Sequence, residues 1–304
     1  MEHTKKDSLF YKIFSLLSVV RGYNILVLIL AQYLASIYIF SPQKSIRHVI
    51  LDLHLFFIVL ATICVIAGGY IINNFYDSKA DKINRPYKAS LDSYVRQETK
   101  LTLYFTLNFI GVLIAYFVSW RAALFFAVYI FGIWLYSHKL KRYPLTGLIS
   151  VTVLTILPFF AVFVYFKNFS KIIFVHAFFL FLVIMVRELI KDLENMRGAV
   201  ASNYKTFPIA YGERNTKLFA VFLLMLTLIP VIFLLQYEAI TYMRYYFYFA
   251  LVFLIIVGVI IVKSTRKRHY TILHTTLKIL LLLGVLSLIF IDTSLIEKVI
   301  DRLG

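Results

Sequence analysis

Asn73-Asn74-Phe75-Tyr76-Asp77-Ser78-Lys79-Ala80-Asp81-Lys82-Ile83-Asn84-Arg85-Pro86 lies between two long apolar stretches, and it concentrates charge where its surroundings have almost none. Asp77 and Asp81 stand four residues apart, so on a helix they share a face within reach of one ion. Two like charges that close need a cation between them. Oxygen donors without His or Cys point to a hard metal, and so few carboxylates fit Mg2+, which completes its shell with water and phosphate oxygens. Asn73 and Asn74 add amide oxygens or hold those waters. The plain alternative is a solvated loop with helix-capping Asp and Asn. Its place at the end of an apolar run, with Asn84-Arg85-Pro86 behind it, favours the site.

Working outward, the chain has 304 residues, of which 61% are hydrophobic and 15% charged. One water-soluble domain of that length cannot hide so much apolar surface, so lipid must cover much of it. The chain is expected to be all-α and to cross the membrane many times. A net charge of +17 raises nucleic acid as a partner, but a multi-spanning chain is the wrong context for that. Anionic headgroups and an anionic substrate account for it better. Cys64 is the only cysteine, which excludes an intrachain disulfide and a cysteine metal cluster. The first apolar run is too long for a signal peptide and reads as a retained anchor.

Apolar runs long enough to span a bilayer occur near 22–40, 54–73, 101–118, 121–137, 146–166, 172–190, 217–235, 245–263 and 276–292. Lys and Arg fall in roughly threefold excess on the side that holds the N-terminus and the even-numbered loops. That side is expected to be cytoplasmic, with the C-terminus outside, and a cell (inner) membrane is the expected location. The segment Ser8-Leu9-Phe10-Tyr11-Lys12-Ile13-Phe14 has the composition of an interfacial helix, for which packing is the simpler role. Without Gly/Ser-rich or Pro-rich linkers, residues 1–304 read as a single domain. Acidic clusters after the second and sixth spans hint at a repeat of spans 1–4 in spans 5–8.

The second cluster is Arg187-Glu188-Leu189-Ile190-Lys191-Asp192-Leu193-Glu194-Asn195-Met196-Arg197-Gly198, on a helix continuing the sixth span. Alone it is an ordinary juxtamembrane helix laced with ion pairs. Beside the first cluster it becomes a second polar helix end. A third segment, Tyr136-Ser137-His138-Lys139-Leu140-Lys141-Arg142, follows span four. Any one of its cations obeys the positive-inside rule. Together, Lys139, Lys141, Arg142, Lys191, Arg197 and Lys205 offer more positive charge than a metal site needs, and a diphosphate would use it.

These segments resemble the UbiA-type intramembrane prenyltransferases. The first is similar to their Asn-Asp-x-x-Asp-x-x-x-Asp signature followed by Asn-Arg-Pro. The second, with Thr206-Phe207-Pro208 after it, is similar to their second Asp-rich segment, and Arg21-Gly22-Tyr23-Asn24 and the Tyr136 to Arg142 loop also fit. The resemblance covers essentially the whole chain. It implies nine transmembrane helices around a central cavity and Mg2+-dependent transfer of an isoprenyl group from its diphosphate to a lipophilic acceptor; a protein partner is not among its implications. It further implies that Asn73, Asp77, Asp81 and Asp192 hold Mg2+, the three aspartates being catalytic. Asn24, Asn73, Arg85, Tyr136, Lys139, Lys141, Arg142, Lys191 and Lys205 would bind substrate, with Lys139 or Lys141, Arg142 and Lys205 neutralising the leaving group. Aromatic surface, from 29 Phe and 22 Tyr, would shelter an allylic cation.

The departures are specific. Asn74 stands where the signature has Asp, and later aspartates of the second motif are replaced by Asn195 and Ala199, so only Asp192 survives there. A second Mg2+ would then need Glu188, Glu194 or Asn195. Among subfamilies, Lys191 to Asn195 with Lys205 to Ile209 most resembles the geranylgeranylglycerol-phosphate geranylgeranyltransferase-like group, with quinone-precursor acceptors as the alternative. The rival readings are a catalytically impaired isoprenoid-binding protein, a transporter, which would bury charges in mid-span, and a CDP-alcohol phosphotransferase, whose Asp-Gly and Ala-Arg spacing is absent.

Overall fold

The computed structural model describes residues 9–291, and among them every regular element is helical. Ser8, the basic residues Lys5 and Lys6, and the C-terminus lie outside the described residues. The helices are α1 (Leu9–Val19), α2 (Gly22–Ala35), α3 (Ile46–Ile50), α4 (Leu53–Asn84), α5 (Pro86–Asp92), α6 (Gln97–Val118), α7 (Trp120–His138), α8 (Pro144–Phe166), α9 (Lys171–Glu194), α10 (Met196–Ala201), α11 (Phe207–Leu226), α12 (Leu228–Gln236), α13 (Arg244–Lys263) and α14 (Lys267–Ser287). Nine helical stretches among the described residues are long and apolar enough to cross a membrane. They correspond one for one to the apolar runs in the sequence.

Several of those runs are shorter than the helices they belong to, α4 most of all. α4 continues past the apolar run through the whole polar motif to Asn84, because nothing from Asn74 to Ile83 breaks a helix. Its start is capped by Asp52, whose Oδ1 accepts from the backbone N–H of His54 at 3.0 Å and Leu55 at 3.2 Å. Its end is set by Pro86, which drives the preceding residue out of helical geometry: Arg85 sits at φ −143°, ψ 63°, and Pro86 opens α5. α14 likewise starts at Lys267, before its apolar run.

The chain divides into two compact units. The first holds Met1–Ile29, Asp52–Ala161 and Asn195–Ala210. There α4 packs along α6 and α7, α10 lies on α4, and α1 lies on α5. Val19, Ile71, Ile72 and Tyr104 form a buried apolar cluster at this end, so α1 is a packing helix with Tyr11, Phe14 and Leu17 left exposed. The second unit holds Leu30–Leu51, Val162–Glu194 and Tyr211–Gly304. In it α9 packs on α12 and α14, and α13 packs on both of those as well. Gly212 at φ +82° bends the start of α11, a conformation that favours glycine.

The approach of α10 to α4 depends on Gly198. A Cβ there would collide with the Asn84 Nδ2 and meet the Ala80 carbonyl oxygen at 2.7 Å. Asn84 instead closes a reciprocal clamp, its Nδ2 donating to the Asn195 carbonyl at 3.2 Å and its Oδ1 accepting from the Gly198 N–H at 3.1 Å. Gly198→Ala is therefore expected to cost about 1–3 kcal/mol, read as a lowered unfolding midpoint in detergent. An unchanged midpoint would show that the contact is not tight.

Candidate active site

The site is built on the last turns of α4. Asn73, Asp77 and Asp81 recur at four-residue intervals and form one stripe on that helix. Asp77 is 2.6 Å from the Lys141 ammonium, and Lys141 is only 7% exposed although it lies in the turn after α7. Tyr204 donates to the same carboxylate oxygen at 3.2 Å and to the Tyr76 carbonyl at 3.3 Å. The Lys141 ammonium also sits over two rings, 5.6 Å from the centre of Tyr76 and 5.3 Å from that of Tyr204. A buried cation is thus held by one carboxylate and two aromatic faces.

Local sequence explains how Tyr204 arrives there. α10 ends at Ala201, Asn203 takes φ 56°, a left-handed conformation that Asn tolerates, and the Tyr204 N–H closes on the Ala199 carbonyl at 2.9 Å. Burial, and then the Asp77 carboxylate beside it, push the Tyr204 phenol well above its ordinary value. The hydroxyl keeps its proton and remains a donor to Asp77. The next residue, Lys205, donates its backbone N–H to the Arg142 carbonyl at 3.0 Å, which joins two expected diphosphate ligands from distant parts of the sequence.

Asp81 is half-buried and feels the charges of Lys88, Arg85 and Arg21 along with that of Asp77. Arg21 lies over the Tyr70 ring at 5.0 Å, and Asn24 donates to the Tyr70 hydroxyl at 3.3 Å, so the expected Asn24 contributes next to that cation. Tyr136 is half-buried on the last turn of α7, whereas Lys139 is exposed. Of the two lysines expected to serve equivalently, only Lys141 pairs with Asp77. His138, one turn before it, stacks on Trp134 at 5.2 Å and reaches the Tyr76 hydroxyl with Nδ1 at 3.1 Å.

Asn74 is a correction. It was expected to offer oxygen to the metal or its waters, but its amide donates to Asp92 at 2.8 Å and accepts from the Lys100 ammonium at 3.0 Å. Asp92 also accepts from Ser18 at 2.8 Å and Lys88 at 2.5 Å. Asp92 and Lys100 are each 2% exposed. Nothing in the linear spacing pairs residues 74, 92 and 100; only the i, i+4 relation of Lys88 and Asp92 was visible there.

The second cluster lies on the last turns of α9 in the second unit, ending at Glu194. Glu188 is clamped between Arg187 at 2.6 Å and Lys191 at 2.7 Å. Glu194 Oε2 lies 3.1 Å from His274 Nδ1. Of the carboxylates considered as replacements for the missing aspartates, Glu188 is thus already engaged with two cations and Glu194 faces an imidazole. In the first unit, Ala199 is 6% exposed, and its position is filled by packing. Among the described residues no group of three His, Cys, Asp or Glu side chains gathers around one point. The α4 stripe of one amide and two carboxylates fits a hard divalent cation whose remaining ligands are water and phosphate.

Residues 19–290 match the UbiA prenyltransferase family. A digeranylgeranylglyceryl phosphate synthase of Methanobrevibacter smithii is 28% identical over 236 residues, 74% of this chain and 80% of that protein. The enzyme of the same name from Pyrococcus furiosus is 33% identical over 165 residues, 54% of this chain and 58% of its own length. A solved structure concerned with digeranylgeranylglyceryl phosphate synthase in membranes superimposes with a TM-score of 0.70 at 21% identity, covering 92% of this chain and 98% of that one. A UbiA homologue from Archaeoglobus fulgidus, bound to DMAPP and Mg2+, gives 0.69 at 14% identity, covering 92% and 99%. With the family match running through both polar clusters and nine apolar helices, the chain is a multi-pass membrane protein that belongs to the UbiA prenyltransferase family.

Proposed function

We propose that this protein transfers an isoprenyl group from a prenyl diphosphate to a glycerophosphate-type lipophilic acceptor, with the α4 stripe and Lys141 receiving the diphosphate. The observation that carries this reading is the buried Lys141 ammonium held 2.6 Å from Asp77 on the face that Asp81 shares. The glycerophosphate acceptor is supported by the relatives named digeranylgeranylglyceryl phosphate synthase. The basic loops, which carry the site, face the cytoplasm of a cell membrane in this reading.

The reaction breaks the bond between the allylic C1 and the diphosphate oxygen, and the electron pair leaves with the diphosphate. A bond forms from the acceptor oxygen to C1, and the acceptor hydroxyl releases its proton. Leaving charge is the main obstacle, so preformed positive charge lowers the barrier most. Asn73, Asp77 and Asp81 would hold Mg2+, whose contribution when bound is Lewis-acid neutralisation of the diphosphate oxygens. Lys141 places its ammonium on the same face without needing to move. Arg142 and Lys205, joined through their backbones, add charge at its edge, and Lys139 and Arg85 extend that field outward. Tyr204 fixes the orientation of the Asp77 carboxylate by donating to one oxygen. The rings of Tyr76 and Tyr204 flank the ammonium and limit its hydration.

Purified protein in liposomes should move label from geranylgeranyl diphosphate to a glycerophosphate acceptor, lose that activity in EDTA and regain it with Mg2+. Asp77→Asn and Asp81→Asn should each lower kcat/KM by about 100-fold or more, and turnover unchanged in folded variants would refute the assigned roles. Lys141→Met leaves Asp77 without its buried partner and should cost about 3 kcal/mol of stability as well as activity. Tyr204→Phe removes one donor and should cost about 1 kcal/mol. Denaturant midpoints in detergent distinguish the two; a Tyr204→Phe loss as large as that of Lys141→Met would move the principal support of Asp77 to the phenol.

A further inference from the structure

The stripe of Asn73, Asp77 and Asp81 faces its ligands only if α4 is held at one rotation about its axis. Each residue turns a helix by about 100°, so Asn74 borders this stripe on one side and Ala80 on the other. The Ala80 side is fixed by the close approach of Gly198. The Asn74 side is fixed by a buried polar network drawn from four helices. The Asn74 amide bonds Asp92 of α5 and Lys100 of α6, and Asp92 in turn accepts from Ser18 of α1 and Lys88 of α5.

We propose that Asn74 and Asp92 are positioning residues that set the rotation of the α4 stripe and anchor the Lys88 ammonium, and so tune affinity for a prenyl diphosphate. The amide is the right group at position 74 because it must do two things at once. Its N–H donates to a carboxylate while its oxygen accepts from an ammonium. A carboxylate there has no hydrogen to donate and would face Asp92 at hydrogen-bonding distance, a repulsive contact in a buried place. A rotation that relieved it would turn Asp77 and Asp81 as well, since all three share one helix. Asp92 also holds Lys88, whose charge reaches Asp81. Loosening Asp92 therefore changes the field at the stripe even where the helix stays folded.

The role rests on the reading that the stripe binds a diphosphate, so the test uses two readouts. The first is the thermal midpoint in detergent, and the second is the Mg2+-dependent Kd for geranylgeranyl diphosphate, measured for Asn74→Asp, Asp92→Asn and the double variant that exchanges the two groups. Each single variant should raise Kd by about tenfold, the equivalent of one charge-assisted hydrogen bond. The exchange restores one amide and one carboxylate in contact and should recover most of that affinity together with the midpoint. Single variants that lower the midpoint but leave Kd unchanged would make the network a packing device only and overturn the positioning role, as would an exchange that recovers neither quantity. A wild-type chain with no Mg2+-dependent binding would refute the diphosphate reading, and the positioning role with it. The midpoints of the exchange series would still show whether residues 74 and 92 are coupled.

Discussion

Polar groups on the last turns of α4 sit in a chain that is 61% hydrophobic, and each must be answered by a partner or by ligand. That constraint sorts the motif residue by residue. Asn74 is answered by Asp92 and Lys100, Asn84 by the backbone of α10, and one oxygen of Asp77 by Lys141 and Tyr204. In the proposed mechanism, Asn73, the second oxygen of Asp77 and Asp81 are the groups that face the ligand. A site made this way is defined by subtraction: the helix end carries more polar groups than its packing consumes.

The same constraint explains the placement of charge. Lys141 is nearly as buried as a core residue, yet its ammonium lies against a carboxylate and two aromatic faces, so its desolvation is offset on three sides. Lys139, Arg142 and Lys205 remain exposed, where water supports them and where they add long-range attraction for an anion. Depth therefore separates two roles among similar cations. On α9 the balance differs, because Glu188 is occupied by Arg187 and Lys191 and Glu194 faces the His274 ring.

Much of this was legible along the chain. The nine apolar runs reappear as nine candidate spans, since bilayer thickness imposes a length on any helix that crosses it. Asp77 and Asp81 were paired by spacing alone, because a helical turn converts four residues into adjacency. Helix ends were less legible. Hydropathy sees only the lipid-covered part of α4, whereas the helix stops where Pro86 forbids it to continue. Asn74 was misplaced for a related reason: a side chain's neighbours in sequence say nothing about which helix lies beside it.

The sequence by itself determined the membrane class, the candidate spans among the described residues, the oxygen-rich stripe and the family resemblance, all of which depend on local composition and periodicity. Only the tertiary structure decided that Lys141 rather than Lys139 meets Asp77, that Tyr204 joins them, and that Asn74 belongs to a network with Asp92 and Lys100. Those pairings join residues 18 to 127 positions apart. They are set by the way α5, α6, α7 and α10 pack around α4, and such packing is a property of helix faces in contact, which no local pattern encodes.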